Sequence, residues 1–177
     1  NPPESKRKPY SPFTGPIRKT FVSGNIASAH LAIYNKRYPQ AQNNILSERA
    51  AREIYLKGGK VQNLYGGSDS SGTVTASKVY IQSGTAENVY GGNNIGGQTN
   101  ISYVYVTGGD LTNVYGGGYQ AETPTTNVSL TGGTVVNGFG GGNAANVTNS
   151  SIILEGSIAT NIYGGSNQKG TVTKSYV

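Results

Sequence analysis

The chain of 177 residues carries a formal net charge of +6, is 34% hydrophobic and 12% charged, and contains 27 glycines and 13 tyrosines but no cysteine, methionine or tryptophan. That composition excludes a disulfide framework and thiol chemistry and is poor in the apolar residues that a wide globular core requires. No apolar run approaches the roughly 20 residues of a membrane helix, so no membrane span is expected.

The charge is concentrated at the front. Residues 1–60 hold 11 of the 14 basic residues and three acids, whereas residues 61–177 hold three bases and five acids. Residues 1–20 combine Pro2, Pro3, Pro9, Pro12 and Pro16 with Lys6, Arg7, Lys8, Arg18 and Lys19. This favours an extended, polyproline-like arm without a core of its own. Tyr10, Phe13 and Ile17 are interleaved with these charges, which suits docking on a neighbouring subunit better than a tail without contacts. An anionic polymer is the other partner such an arm could take, but nucleic acid is not the expected one. Without an initiator methionine, the chain is expected to be processed or to belong to something longer, and a removed signal peptide would account for Asn1.

Residues 21–53 are expected to form a cap. Phe21-Val22 and Ala29 to Ile33 are apolar, and Asn44 to Glu53 could form a short helix with Ser47 as its cap and Ile45, Leu46 and Ala50 on one side. His30, the one histidine, falls in the apolar part, where a structural role is the expectation rather than catalysis or metal binding.

From residue 54 onward the chain repeats. Asn-x-aromatic-Gly-Gly occurs five times, with Asn63, Asn88, Asn113, Asn137 and Asn161 each two residues before Tyr65, Tyr90, Tyr115, Phe139 and Tyr163. The units are 24 or 25 residues long. Before each motif lies a short alternating run (Ile54-Tyr55-Leu56, Val79-Tyr80-Ile81, Val104-Tyr105-Val106, Val128-Ser129-Leu130, Ile152-Ile153-Leu154), soon followed by glycine. Period-two runs bounded by glycine are strands, and no unit carries a helical pattern. Residues 54–177 are therefore expected to form an all-β parallel β-helix, or β-solenoid, of about five coils, in which like residues stack into ladders. The asparagines would bond from coil to coil, and the aromatic rings are expected to stack inward. Gly138 interrupts the column of Leu64, Val89, Val114 and Ile162, so that column is expected to carry less of the packing.

Units such as Gly108-Gly-Asp-Leu-Thr-Asn-Val-Tyr-Gly-Gly-Gly118 and Gly132-Gly-Thr-Val-Val-Asn-Gly-Phe-Gly-Gly-Gly142 resemble the Gly-rich parallel β-helix repeats of secreted and surface-anchored bacterial adhesin-like proteins. The resemblance covers residues 54–177. It implies an extracellular, cell-surface or structural setting and carries over no catalytic residue.

Chemistry is sparse on this scaffold. The array offers as acids only Asp69, Glu87, Asp110, Glu122 and Glu155, of which Glu87 and Asp110 fall close together on successive coils. A polysaccharide lyase or hydrolase built on them is the weakest reading. Calcium-binding repeats need an acid on every coil, and only Gly66-Gly67-Ser68-Asp69 supplies one, so no metal or cofactor is expected. Tyr55, Tyr80 and Tyr105 alternate with inward residues and should point outward, either as a glycan-binding stripe or as a column that stiffens the face. The reading that fits best is a non-enzymatic, self-associating subunit of an extracellular filament or matrix. It would join through open coil ends, Val172 to Val177 among them, and through the arm. The alternative is an adhesin module that binds glycan or a host surface through the tyrosines.

Overall fold

A computed structural model of the protein describes residues 18–22, 26–30 and 51–177. The strands are β1 (Arg18–Val22), β2 (Ile26–His30), β3 (Ala51–Tyr65), β4 (Thr73–Tyr90), β5 (Gln98–Tyr115), β6 (Thr125–Phe139), β7 (Val147–Leu154), β8 (Ile158–Tyr163) and β9 (Val172–Tyr176). All pair in parallel within one sheet ordered β1-β3-β4-β5-β6-β7-β9, with β2 also on β3 and β8 also on β6. The chain thus winds as a parallel β-solenoid of about five coils. Like residues pair throughout: Tyr55 with Tyr80 with Tyr105, and Asn63 with Asn88 with Asn113.

Each coil has two straight runs and a closing loop. The first run directs Ile54 and Leu56, or their equivalents Val79 and Ile81, into the interior; the second directs Val61 and Leu64, or Ala86 and Val89, against them. Between the runs the chain turns at glycines such as Gly84 and Gly109, whose φ values of +93° and +91° lie in the left-handed region. A Cβ there would also come within 2.7 and 2.8 Å of a carbonyl oxygen on the preceding coil. The interior is a narrow column of aliphatic side chains, from Ile54 to Ile152. Ladder hydrogen bonds and this thin core together replace the broad core that the composition cannot supply.

The column interrupted by Gly138 is at the centre of that core, contrary to the expectation from sequence. Leu64, Val89 and Val114 are fully buried. At Gly138 the missing side chain is replaced by its neighbours, since an added Cβ would lie 2.8 Å from Ile162 Cδ1 and 3.1 Å from Ile152 Cδ1. The gap is filled from the adjacent coil, so the packing remains continuous.

The array also extends further toward the front than the repeat motif. Ala51–Glu53, the end of the segment expected to be helical, are strand, held in register with Ala76, Ser77 and Lys78. Residues 44–50 of that expected helix lie outside the described residues, among which there is no helix. Below β3, β1 and β2 supply the two runs of a further partial coil. Phe21 occupies the register position of Tyr55, Val22 that of Leu56, Ile26 that of Val61, Ser28 that of Asn63 and His30 that of Tyr65. Part of the expected cap is therefore a diverged repeat unit. It begins in the arm itself, because Arg18 and Lys19 pair with Arg52 and Glu53. Lys6, Arg7, Lys8, Tyr10, Phe13 and Ile17 lie outside the described residues.

Candidate functional site

Four ladders run along the coil axis, and each follows from a column in the repeat. In the asparagine ladder, Nδ2 of Asn88, Asn113, Asn137 and Asn161 each donates to Oδ1 of the asparagine one coil earlier, every time at 2.9 Å. Stacking at the coil spacing sets each amide directly over the next, so one side chain both accepts and donates.

The second ladder is aromatic. Tyr65, Tyr90, Tyr115, Phe139 and Tyr163 stack with centroids 4.8 to 4.9 Å apart and planes within 14° of parallel. The first four rings are buried, as a cluster separate from the aliphatic core and packed against Tyr119. Tyr119 meets Tyr90 edge-on at 5.8 Å, and Asn167 Nδ2 donates to the Tyr115 hydroxyl at 3.3 Å. The column therefore lies beneath the closing loops, and Phe139 fits it because neighbouring rings rather than a hydroxyl hold each rung.

Burial raises the Tyr65 hydroxyl from 10.0 to about 12, with Tyr119 and Asp69 adding to the effect, and it raises Tyr90 and Tyr115 as well. Tyrosine ionises by losing a proton, so below pH 10 both folded and unfolded chains are neutral at these positions. Above that value the unfolded chain ionises first. The stability these rings provide is full below about pH 10 and is lost as pH rises through about 12. Alkaline unfolding should coincide with a rise in tyrosinate absorbance at the buried rings. A fold that melts well before those rings titrate, or a smooth titration with no loss of circular dichroism, would count against this linkage.

A third ladder, of hydroxyls, escaped the reading of the motif. Ser77, Ser102, Thr126 and Ser150 point inward and donate to the carbonyls of Gly91, Gly116, Gly140 and Gly164, 14 residues later in the same coil. These bonds tie the start of the first run to the end of the second and close each coil. Their signal was present as a Ser/Thr column at the repeat spacing, hidden among the many exposed hydroxyl residues of the chain.

The fourth ladder is on the outer face of the first run. Tyr55, Tyr80 and Tyr105 are half-buried and stack at 4.6 and 5.1 Å, with planes 10° and 19° from parallel. The Tyr55 hydroxyl donates to Glu53 Oε2 at 2.9 Å, and Lys57 Nζ lies 5.7 Å from the Tyr55 ring centre. Rings stacked at the coil spacing turn their faces along the axis, so this column shows mainly edges and hydroxyls sideways.

Of the acids, Glu87 and Asp110 both line a shallow surface hollow of about 450 Å³ with Lys60, Thr134 and Val136. Asp110 Oδ1 accepts a 2.5 Å bond from the Thr134 hydroxyl. Among the described residues no three His, Cys, Asp or Glu side chains come together as a metal-binding group. No helix of the described residues is long and apolar enough to cross a membrane. In comparisons with known proteins, no family model, no curated protein and no solved structure matches this chain.

Proposed function

We propose that this protein is a structural subunit that associates end to end, coil upon coil, in an extracellular filament or matrix. The observation that carries the reading is the register of the ladders: like residues pair from coil to coil from β3 to β8, and the asparagine column makes a 2.9 Å bond at each step. Each coil is thus a template for another of the same design, and on the coil that holds β8 the apolar side chain of Ile158 is 74% exposed. A head-to-tail contact of this kind does not close on itself and so propagates. The resemblance to surface-anchored, adhesin-like repeats supports the extracellular setting.

The test is electron microscopy and sedimentation of the purified chain beside a version lacking residues 1–17, which leaves β1 intact, and beside Ile158→Asp. The full chain should form fibres as wide as a single solenoid, lengthening with concentration. Ile158→Asp should stay short while keeping its circular dichroism. If the full chain remains a monodisperse single-chain particle at every concentration, end-to-end association is wrong. If fibres form only with residues 1–17 present, the arm is part of the joint.

A further inference from the structure

The outer tyrosine column stops abruptly. In register above Tyr105 stands Ser129, and above Ser129 stands Ile153, which is 49% exposed. Coils are spaced by about 4.8 Å, so Tyr105 and Ile153 are separated by about 9.6 Å along the axis. That leaves the thickness of one ring at the rung of Ser129. Along the column Tyr80 is stacked between Tyr55 and Tyr105, whereas Tyr105 is followed by Ser129 and no ring. Tyr103, on the same strand, lies within 3° of parallel to Tyr105 at 6.2 Å, and Asn127 stands in register above Tyr103.

We propose that this missing rung is a binding slot for one neutral hexopyranose unit of a glycan. The platform of Tyr105 suits the C–H face of a sugar ring, because the π face is electron-rich and those hydrogens are slightly positive. Ile153 closes the opposite side with an apolar surface. The floor is polar: the Ser129 hydroxyl can donate and accept, and so can the Asn127 amide, whose Nδ2 makes a single 3.3 Å bond to Ser102 O. An apolar slot with a few convergent polar groups is the usual form of a small-ligand site. The slot lies on the side of the solenoid and not at its end, so it stays open in a filament and does not depend on end-to-end association.

The test uses the full chain, titrated with cellohexaose, maltohexaose and mannohexaose by calorimetry and by saturation-transfer NMR, alongside Ser129→Tyr and Tyr105→Ala. Ser129→Tyr restores the missing ring, so it should extend the stack, keep or raise the melting temperature and weaken sugar binding at least tenfold. Tyr105→Ala should weaken binding to a similar degree, and saturation transfer should fall on the C–H protons of one sugar face. If no hexasaccharide binds, or if Ser129→Tyr binds as the parent does, the slot is not a sugar site. Binding of a planar aromatic dye but of no sugar would likewise overturn the assignment.

Discussion

Gly91→Ala should abolish the folded array or cost more than about 4 kcal/mol, the range of substitutions that force backbone apart. The added Cβ would meet the carbonyl oxygen of Gly116 on the next coil, and also Ser102 Cβ at 2.9 Å and Ser102 Oγ at 3.0 Å. The chain at Gly116 is pinned on either side, since Tyr115 O accepts from Gly91 N and Gly117 O from Gly92 N, and displacing Gly116 O would break the Ser102 to Gly116 bond that closes the coil. Gly66 has the same relation to Gly91, with a Cβ-to-oxygen distance of 2.5 Å, and this close approach is why the first glycine of the motif recurs. Gly165, the second glycine of its motif, is the control, because a Cβ there would meet nothing within 4 Å. Gly165→Ala should change stability by no more than about 0.5 kcal/mol. Urea denaturation of the two variants tests the contrast; similar midpoints would show that close coil packing does not set the motif.

The second large effect is at the middle of the amide ladder. Asn113→Ala removes the donor to Asn88 Oδ1 and the acceptor of Asn137 Nδ2, leaving two half-buried polar groups without their partners. An orphaned group costs about 1 to 3 kcal/mol when buried, less where water reaches it, so a loss of about 2 to 4 kcal/mol is expected. Asn161→Ala breaks one exposed bond and should cost below about 1 kcal/mol. Equal losses for the two would mean that the ladder contributes nothing beyond local turn bonding. An Asn113/Asn137 double-mutant cycle in urea would then separate coupling from the individual losses.

Much of this architecture was legible because a solenoid writes its three-dimensional register into its sequence period. The asparagine and aromatic columns, and the outward Tyr55, Tyr80 and Tyr105, follow from counting residues. The partial coil of β1 and β2 did not, for a physical reason. From Arg18 to Arg52 the spacing is 34 residues, not 24 or 25, so the period is lost although the pairing columns persist. Ser28 stands where Asn would mark the unit, and His30 where Tyr would. Gly138 misled in the opposite direction: a missing side chain suggested a sparse column, whereas Ile162 and Ile152 fill the space from the next coil. The slot at Ser129 was visible only as an interruption. Its meaning depends on the orientation of the rings, which spacing alone does not fix.

The amide ladder also gives the molecule a sense of direction. Every Nδ2 in the column points toward the front of the chain and every Oδ1 toward its far end. The column is a train of aligned dipoles with a hydrogen-bonding sex at each terminus. Two copies meeting tail to tail would set carbonyl against carbonyl, a repulsive pairing, whereas copies aligned in the same sense continue the train. Any assembly built on this column would be polar, with two chemically different tips, and its growth rates at the two tips would differ.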